Sequence, residues 1–296
     1  MTDDTNLPSP TLQTMLEKSR VEMVRMILKN SNGKLPLTAS KVGGMGYLPM
    51  GETYPSQADG KPLALLVQIN FSELSNAVDL TQLPQPLPDN GILQIYIGNT
   101  DLYGADFDKP YPSDTYQVRY WADTNLPVNQ ADLDEAMASV KTIFLEEDYV
   151  LPFGVNDEFA LTFEQAVQSS NLYAYDPYEV TGKTPSETSE LYDEDAIEAE
   201  LKAKGLDDVD PYDVIDKYLE LAGVGGHQIL GYPYFTQTDP REYEKSLRQY
   251  ILLFQLDSDD DVDIMWGDMG VANFFITPEA LLARDFNQLV YNWDCG

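Results

Sequence analysis

The sequence predicts an α+β fold in which two related β units form one pseudo-symmetric body with peripheral helices. Two observations carry this. The first is self-similarity, the trace of a repeated structural unit: Gly43-Gly44-Met45-Gly46-Tyr47-Leu48-Pro49, Leu65 to Asn70 and Gly91 to Ile97 recur in order as Gly225-Gly226-His227 with Gly231-Tyr232-Pro233, Leu252 to Asp257 and Gly270 to Ile276. The second is that strand pairs are separated by helix-bearing stretches without the regular alternation of a doubly wound sheet.

Each element has its own warrant. Pro8 and Pro10 precede Thr11 to Asn30, where Leu12, Met15, Leu16, Met23 and Ile27 recur at helical spacing, so a helix is expected over 11–30, docked by its Met-rich face and stopped at Asn30-Ser31-Asn32-Gly33. The first repeat then spans about 40–122. Its Gly- and Pro-dense opening reads as turns, and Leu63 to Asn70 as a strand buried on both faces with Gln68 as its one interior polar residue. Ile92 to Ile97 returns as a second strand after Asp89-Asn90-Gly91, and Tyr116 to Trp121 alternates like a third.

From about 126 to 223 an acidic, loop-rich connection carries expected helices over Asp132–Lys141, Phe159–Ser169, Asp193–Lys204 and Pro211–Leu221. Asp210 as N-cap, Pro211 at the first helical position and Gly223 beyond the end mark the last of these. Asp176 to Thr188 is polar and reads as an exposed loop. The second repeat, about 224–296, supplies strands at Tyr250–Asp257 and Val271–Ile276, then a helix from Thr277-Pro278.

Charge dominates the composition. Fifty acidic residues against 18 basic ones give a formal net charge of -32. Such a field disfavours nucleic acid and anionic membranes and attracts cations and basic proteins. No run approaches a membrane span and no signal segment opens the chain, so the expected location is the cytoplasm. A single cysteine, Cys295, excludes an intramolecular disulfide.

Several segments resemble a known family. Ser40-Lys41-Val42-Gly43-Gly44, Tyr47-Leu48-Pro49, Tyr54-Pro55, Gly231-Tyr232-Pro233-Tyr234-Phe235-Thr236-Gln237, Asp239-Pro240-Arg241 and Trp266-Gly267-Asp268 are similar to the motifs of the YwqG-like, or DUF1963, family of uncharacterised bacterial proteins. Two positions depart from its pattern: Tyr54 where tryptophan is usual, and Leu230 where a second glycine is usual, which predicts a less sharp turn there. The resemblance implies an internally duplicated α+β domain and no established reaction. Some families of this kind are immunity proteins beside bacterial toxins.

Candidate sites are few. His227 is the only histidine, so a multi-histidine metal centre is excluded, and it reads either as a structural hydrogen-bonding group in a glycine-rich turn or as a ligand contact. Gln68 and Gln255 hold equivalent places in apolar strands, and a buried amide needs partners. Each either tethers the glycine-rich segment of its own repeat or lines a cleft between the halves. Trp266 and Asp268 join them as candidate ligand contacts. The run Asp257, Asp259, Asp261 with Asp268 places oxygens at positions 1, 3, 5 and 12 of a calcium-type loop, but Val262 stands at position 6, where the sharp turn needs glycine. The plainer reading is a solvated acidic turn. No nucleophile elbow, phosphate loop or dinucleotide fingerprint is present. The leading expectation is a non-enzymatic binding protein whose acidic, tyrosine-rich surface engages a basic partner, toxin immunity being one version. The alternative is a small-molecule or divalent-cation site, with or without catalysis, in the cleft near His227, Gln68, Gln255, Trp266 and Asp268.

Overall fold

The computed structural model describes residues 6–31, 33–146, 151–170 and 194–296. One ten-stranded antiparallel sheet organises them, with strand order β10-β9-β8-β7-β1-β6-β2-β3-β4-β5. In chain order the strands are β1 (Val21–Asn30), β2 (Lys41–Gly43), β3 (Ala64–Asn70), β4 (Ile92–Ile97), β5 (Tyr116–Trp121), β6 (Glu158–Gln168), β7 (Gln228–Ile229), β8 (Ile251–Asp257), β9 (Val271–Ile276) and β10 (Val290–Asp294). The described helices are α1 (Pro10–Lys18), α2 (Phe71–Ala77), α3 (Gln130–Glu146), α4 (Glu194–Ala203), α5 (Pro211–Ala222), α6 (Pro240–Tyr243) and α7 (Pro278–Ala283). None is long and apolar enough to cross a membrane. The expected loop at 176–188 lies outside the described residues.

Two expected helices are corrected. The stretch 11–30 splits: α1 ends at Lys18, where the Ser19 amide donates to the Met15 carbonyl, and β1 begins at Val21. Leu12, Met15 and Leu16 do share a helical face, buried against α4 and α5. Beyond Ser19, however, Val24, Met26 and Leu28 alternate into the sheet's core, a period of two that outweighs the helical spacing of Met23 and Ile27. Likewise 158–168 is the long strand β6, because Phe159, Leu161 and Phe163 alternate inward. These two strands form the centre of the sheet, paired from Val21 against Gln168 to Asn30 against Phe159.

The sheet curls so that its two ends share one core. Tyr116 of β5 lies 5.1 Å from Tyr291 of β10 and 6.2 Å from Phe274 of β9, ring centre to ring centre. Phe71 stacks on Phe286 at 6.1 Å, and the Tyr291 amide donates to the Pro110 carbonyl at 2.8 Å. β3 and β8 are buried on both faces, and each carries a register shift at the corresponding place, between Leu65 and Val67 and between Leu252 and Phe254.

Candidate functional site

The inner face of the sheet is apolar, so polar side chains within the strands point to the other face, where the irregular segments lie. Gln68 accepts the Tyr47 amide at 2.9 Å and donates to the carbonyls of Leu37 and Ala39 at 2.8 and 2.7 Å. Gln94 donates to the Tyr47 carbonyl at 2.8 Å and to Gln68 Oε1 at 2.7 Å. The other half repeats the pattern. Gln255 accepts the Tyr234 amide at 2.7 Å and donates to the Gly226 carbonyl at 2.7 Å, while Asn273 donates to the Tyr234 carbonyl at 2.8 Å. In both halves the tethered tyrosine lies 21 residues before its glutamine. Both glutamines have no exposed surface, and their hydrogen bonds hold the backbone of their own half.

The turns beside these amides have similar backbone. Gly43 and Gly44 have φ of 69° and 68°, and Leu230 and Gly231 have φ of 61° and 78°. Leu230-Gly231 thus has the left-handed pair of φ values seen at Gly43-Gly44, and the less sharp turn expected at Leu230 is not found: a leucine adopts the left-handed conformation that glycine takes without strain. Lys41 and Gln228 close the two turns in parallel, Lys41 Nζ donating to the Met45 carbonyl at 3.1 Å and Gln228 Nε2 to the Tyr232 carbonyl at 2.9 Å. Lys41 also ion-pairs with Glu158 at 2.8 Å, and burial holds its ammonium below the usual lysine range despite that partner.

His227 belongs to the same scaffold. Its Nδ1 accepts the Asp257 amide at 3.0 Å, which leaves the proton on Nε2, 3.1 Å from Asp259 Oδ2. Ser40 makes the matching contact in the first half, its Oγ accepting the Asn70 amide at 2.9 Å. Burial pushes the imidazole below its ordinary pKa, and Asp259 opposes this. Asp257 accepts the amides of Gly226 at 2.7 Å and Ser258 at 2.9 Å, yet burial raises its carboxyl to about 6.

The remaining predicted residues do not converge. Asp259 accepts the Asp261 amide at 2.9 Å, and Asp261 and Asp268 are exposed on a tight loop. Trp266 is fully buried in the core, among Tyr103, Tyr291 and Trp293. Among the described residues no group of three or more His, Cys, Asp or Glu side chains is arranged to hold a metal ion.

A groove that the sequence did not mark lies at the seam between the sheet ends. It is a cavity of about 240 Å³ with walls of Phe107, Pro110 and Tyr111 from the β4–β5 connection and Tyr243, Leu247 and Val290 from the second half. Its charged lining residues are carboxylates, Asp108 and Glu244. Phe107, Tyr111 and Tyr243 are 49%, 39% and 71% exposed, a high exposure for three aromatic rings around one hollow. The walls are fixed: Tyr111 and Tyr250 hydroxyls meet at 3.3 Å, and α6 is pinned by the buried Arg241–Asp239 pair at 2.6 Å, its guanidinium 4.9 Å from the Phe275 ring centre. Burial raises the Glu242 carboxyl above the usual range, with Asp239 adding to it. Burial also raises the Tyr243 hydroxyl, and Asp239, Asp294 and Glu242 push it further, so negative charge gathers at this end. The available sequence signal was only the alternation of aromatics and acids in 106–114 and 242–244.

A family model described as a domain of unknown function, DUF1963, matches residues 40–295 of the chain. No curated protein matches it.

Proposed function

The chain belongs to the DUF1963 family of domains of unknown function, and we propose that it is a non-enzymatic, cytoplasmic binding protein whose groove receives a basic segment of another protein. The observation that carries the reading is the groove itself: exposed aromatic walls, carboxylates at the rim and an overall charge of -32. Ring faces and carboxylates both favour positive charge. Its volume of about 240 Å³ falls below the ~300–1,000 Å³ usual for small-molecule sites and suits a side chain or two of a larger partner. His227 has hydrogen bonds at both ring nitrogens, which commits the chain's one histidine to the scaffold. Toxin immunity is one concrete form of this function.

The same reading takes the two halves as copies of one unit. What supports it is that the strand order flanking β1 and β6 reads alike in both directions, that both register shifts fall at matching places, and that the tyrosine tethers are made with the same bonds. Duplication then built the scaffold, and the groove arose where the copies meet.

Immobilised protein and a Tyr111→Ala/Tyr243→Ala variant, exposed to host lysate at low and high salt, test the function. Basic proteins should be retained by the parent at low salt and lost from the variant, which should still melt cooperatively as a folded protein. Equal retention by both would remove the groove from the function.

A further inference from the structure

The groove at the seam differs in chemistry between its bottom and its sides. Leu247 and Val290 are buried and apolar, and Pro110 and Pro240 bring no amide N–H. The polar atoms beside them are engaged within the protein. The Pro110 carbonyl accepts the Tyr291 amide at 2.8 Å, the Pro240 carbonyl accepts the Glu244 amide at 2.9 Å, and the Ser246 hydroxyl donates to Glu244 Oε1 at 2.7 Å. The Tyr111 hydroxyl meets that of Tyr250. What the lining side chains still offer is the Asn292 amide, the Tyr243 hydroxyl and the carboxylates of Asp108 and Glu244.

Three rings stand around that bottom. Phe107, Tyr111 and Tyr243 border the hollow from separate segments, and among the described residues none of the three packs on another; Phe107 packs on Trp293 instead, at 6.3 Å. The space between the rings is therefore open to a guest. Three π-systems and two carboxylates favour positive charge there. A primary ammonium or a guanidinium, however, brings three or more N–H donors to a bottom that offers one amide oxygen, and each donor left unpaired weakens binding about five- to 150-fold. A quaternary ammonium has no N–H to satisfy, and its methyl groups bring the charge against rings and apolar bottom alike. We infer that the hollow is a cage for a quaternary ammonium group, presented by the partner as a trimethylated lysine. The volume of about 240 Å³, below that usual for small molecules, suits such a head group while its alkyl stem runs out between the rings to the partner's backbone. The inference rests on the groove reading above and names the group that the groove selects.

The test uses the full chain, labelled with ¹⁵N, and four probes: the blocked peptide acetyl-Ala-Lys-Ala-amide, its ε-trimethylated form, the uncharged isostere of that form with carbon in place of the ammonium nitrogen, and choline. The trimethylated peptide should shift the Asn292 side-chain amide and the Tyr111 and Tyr243 backbone amides saturably. It should bind about tenfold or more tightly than the lysine peptide, the isostere or choline. Tyr243→Ala should weaken it about three- to thirtyfold, and Tyr243→Phe, which keeps the ring, should bind as the parent does. Equal binding of the trimethylated and lysine peptides would overturn the cage and leave the groove reading standing. Choline binding as tightly as the trimethylated peptide would overturn the assignment to a protein side chain. An isostere that binds equally well, or no shift with any probe, would overturn the cage and the groove reading together.

Discussion

Asp257→Asn is expected to stabilise the protein at neutral pH and not in acid. Asp257 ends β8 with its carboxyl raised from 3.8 to about 6, chiefly by burial. A carboxyl whose folded pKa is raised costs stability when ionised, and the cost is relieved as pH falls through the folded value. The gap corresponds to about 3 kcal/mol at pH 7.5, of which about 2 kcal/mol has disappeared by about pH 4.5. Against this, asparagine accepts with one oxygen where the carboxylate accepts from Gly226 and Ser258 with two, a loss of about 1–2 kcal/mol. The first half shows the outcome, because Asn70 stands at the corresponding end of β3, its amide accepting from Ser72 at 3.0 Å and donating to the Thr38 carbonyl at 2.9 Å. A net gain of about 1 kcal/mol is expected at pH 7.5, turning into a loss of about 1 kcal/mol near pH 4.5. Urea unfolding of both proteins at the two pH values measures it, and His227, common to both, cancels in the difference. A difference that does not change between the two pH values would refute the argument, since the hydrogen-bond loss alone carries no such dependence.

Three further outcomes follow from the scaffold. Gln68→Leu removes the partners of the Tyr47 amide and of two carbonyls, and should cost about 3 kcal/mol or more in urea unfolding; a loss below about 1 kcal/mol would show that the tether is dispensable. Lys41→Met leaves Glu158 without its cation and should cost about 3 kcal/mol, with Lys41→Met/Glu158→Gln recovering part of it, so a double variant no better than the single one would count against the pair. The His227 imidazole should titrate below 6.5 with its proton on Nε2 in the neutral form. A histidine pKa depressed by folding gives stability that is complete above the unfolded value and declines as pH falls through it; an NMR midpoint at or above 6.5 would contradict this.

The strands β3, β4, β8 and β9 were legible because burial on both faces leaves a continuous apolar run, and β5 because burial on one face leaves an alternation. β1 and β6 were not, since Met23, Ile27 and Phe159 to Phe163 satisfy helical and strand spacings in part, and only the pairing of the two segments decides between them. Gln68 and Gln255 were legible as polar residues in apolar surroundings that need partners, but the sequence left open whether they tether backbone or line a cleft, and only the hydrogen bonds decide it. The groove was hidden for the opposite reason. Phe107, Tyr243 and Val290 come from distant parts of the chain, and nothing local distinguishes them from ordinary surface aromatics or core positions. Leu230 shows the limit of residue-type rules: its backbone keeps the glycine conformation because Gln228, Gln255 and Asn273 hold the segment around it.

The central ladder has a consequence for how the chain could be divided. β1 lies between β6 and β7, and β6 between β1 and β2, so each half's long strand is bordered on both sides by strands that include the other half's. A cut between β5 and β6 would yield two fragments, each holding a long strand that its partner's sheet requires and missing the one that its own requires. Neither could complete its hydrogen bonding alone, and the pair should reassemble in trans.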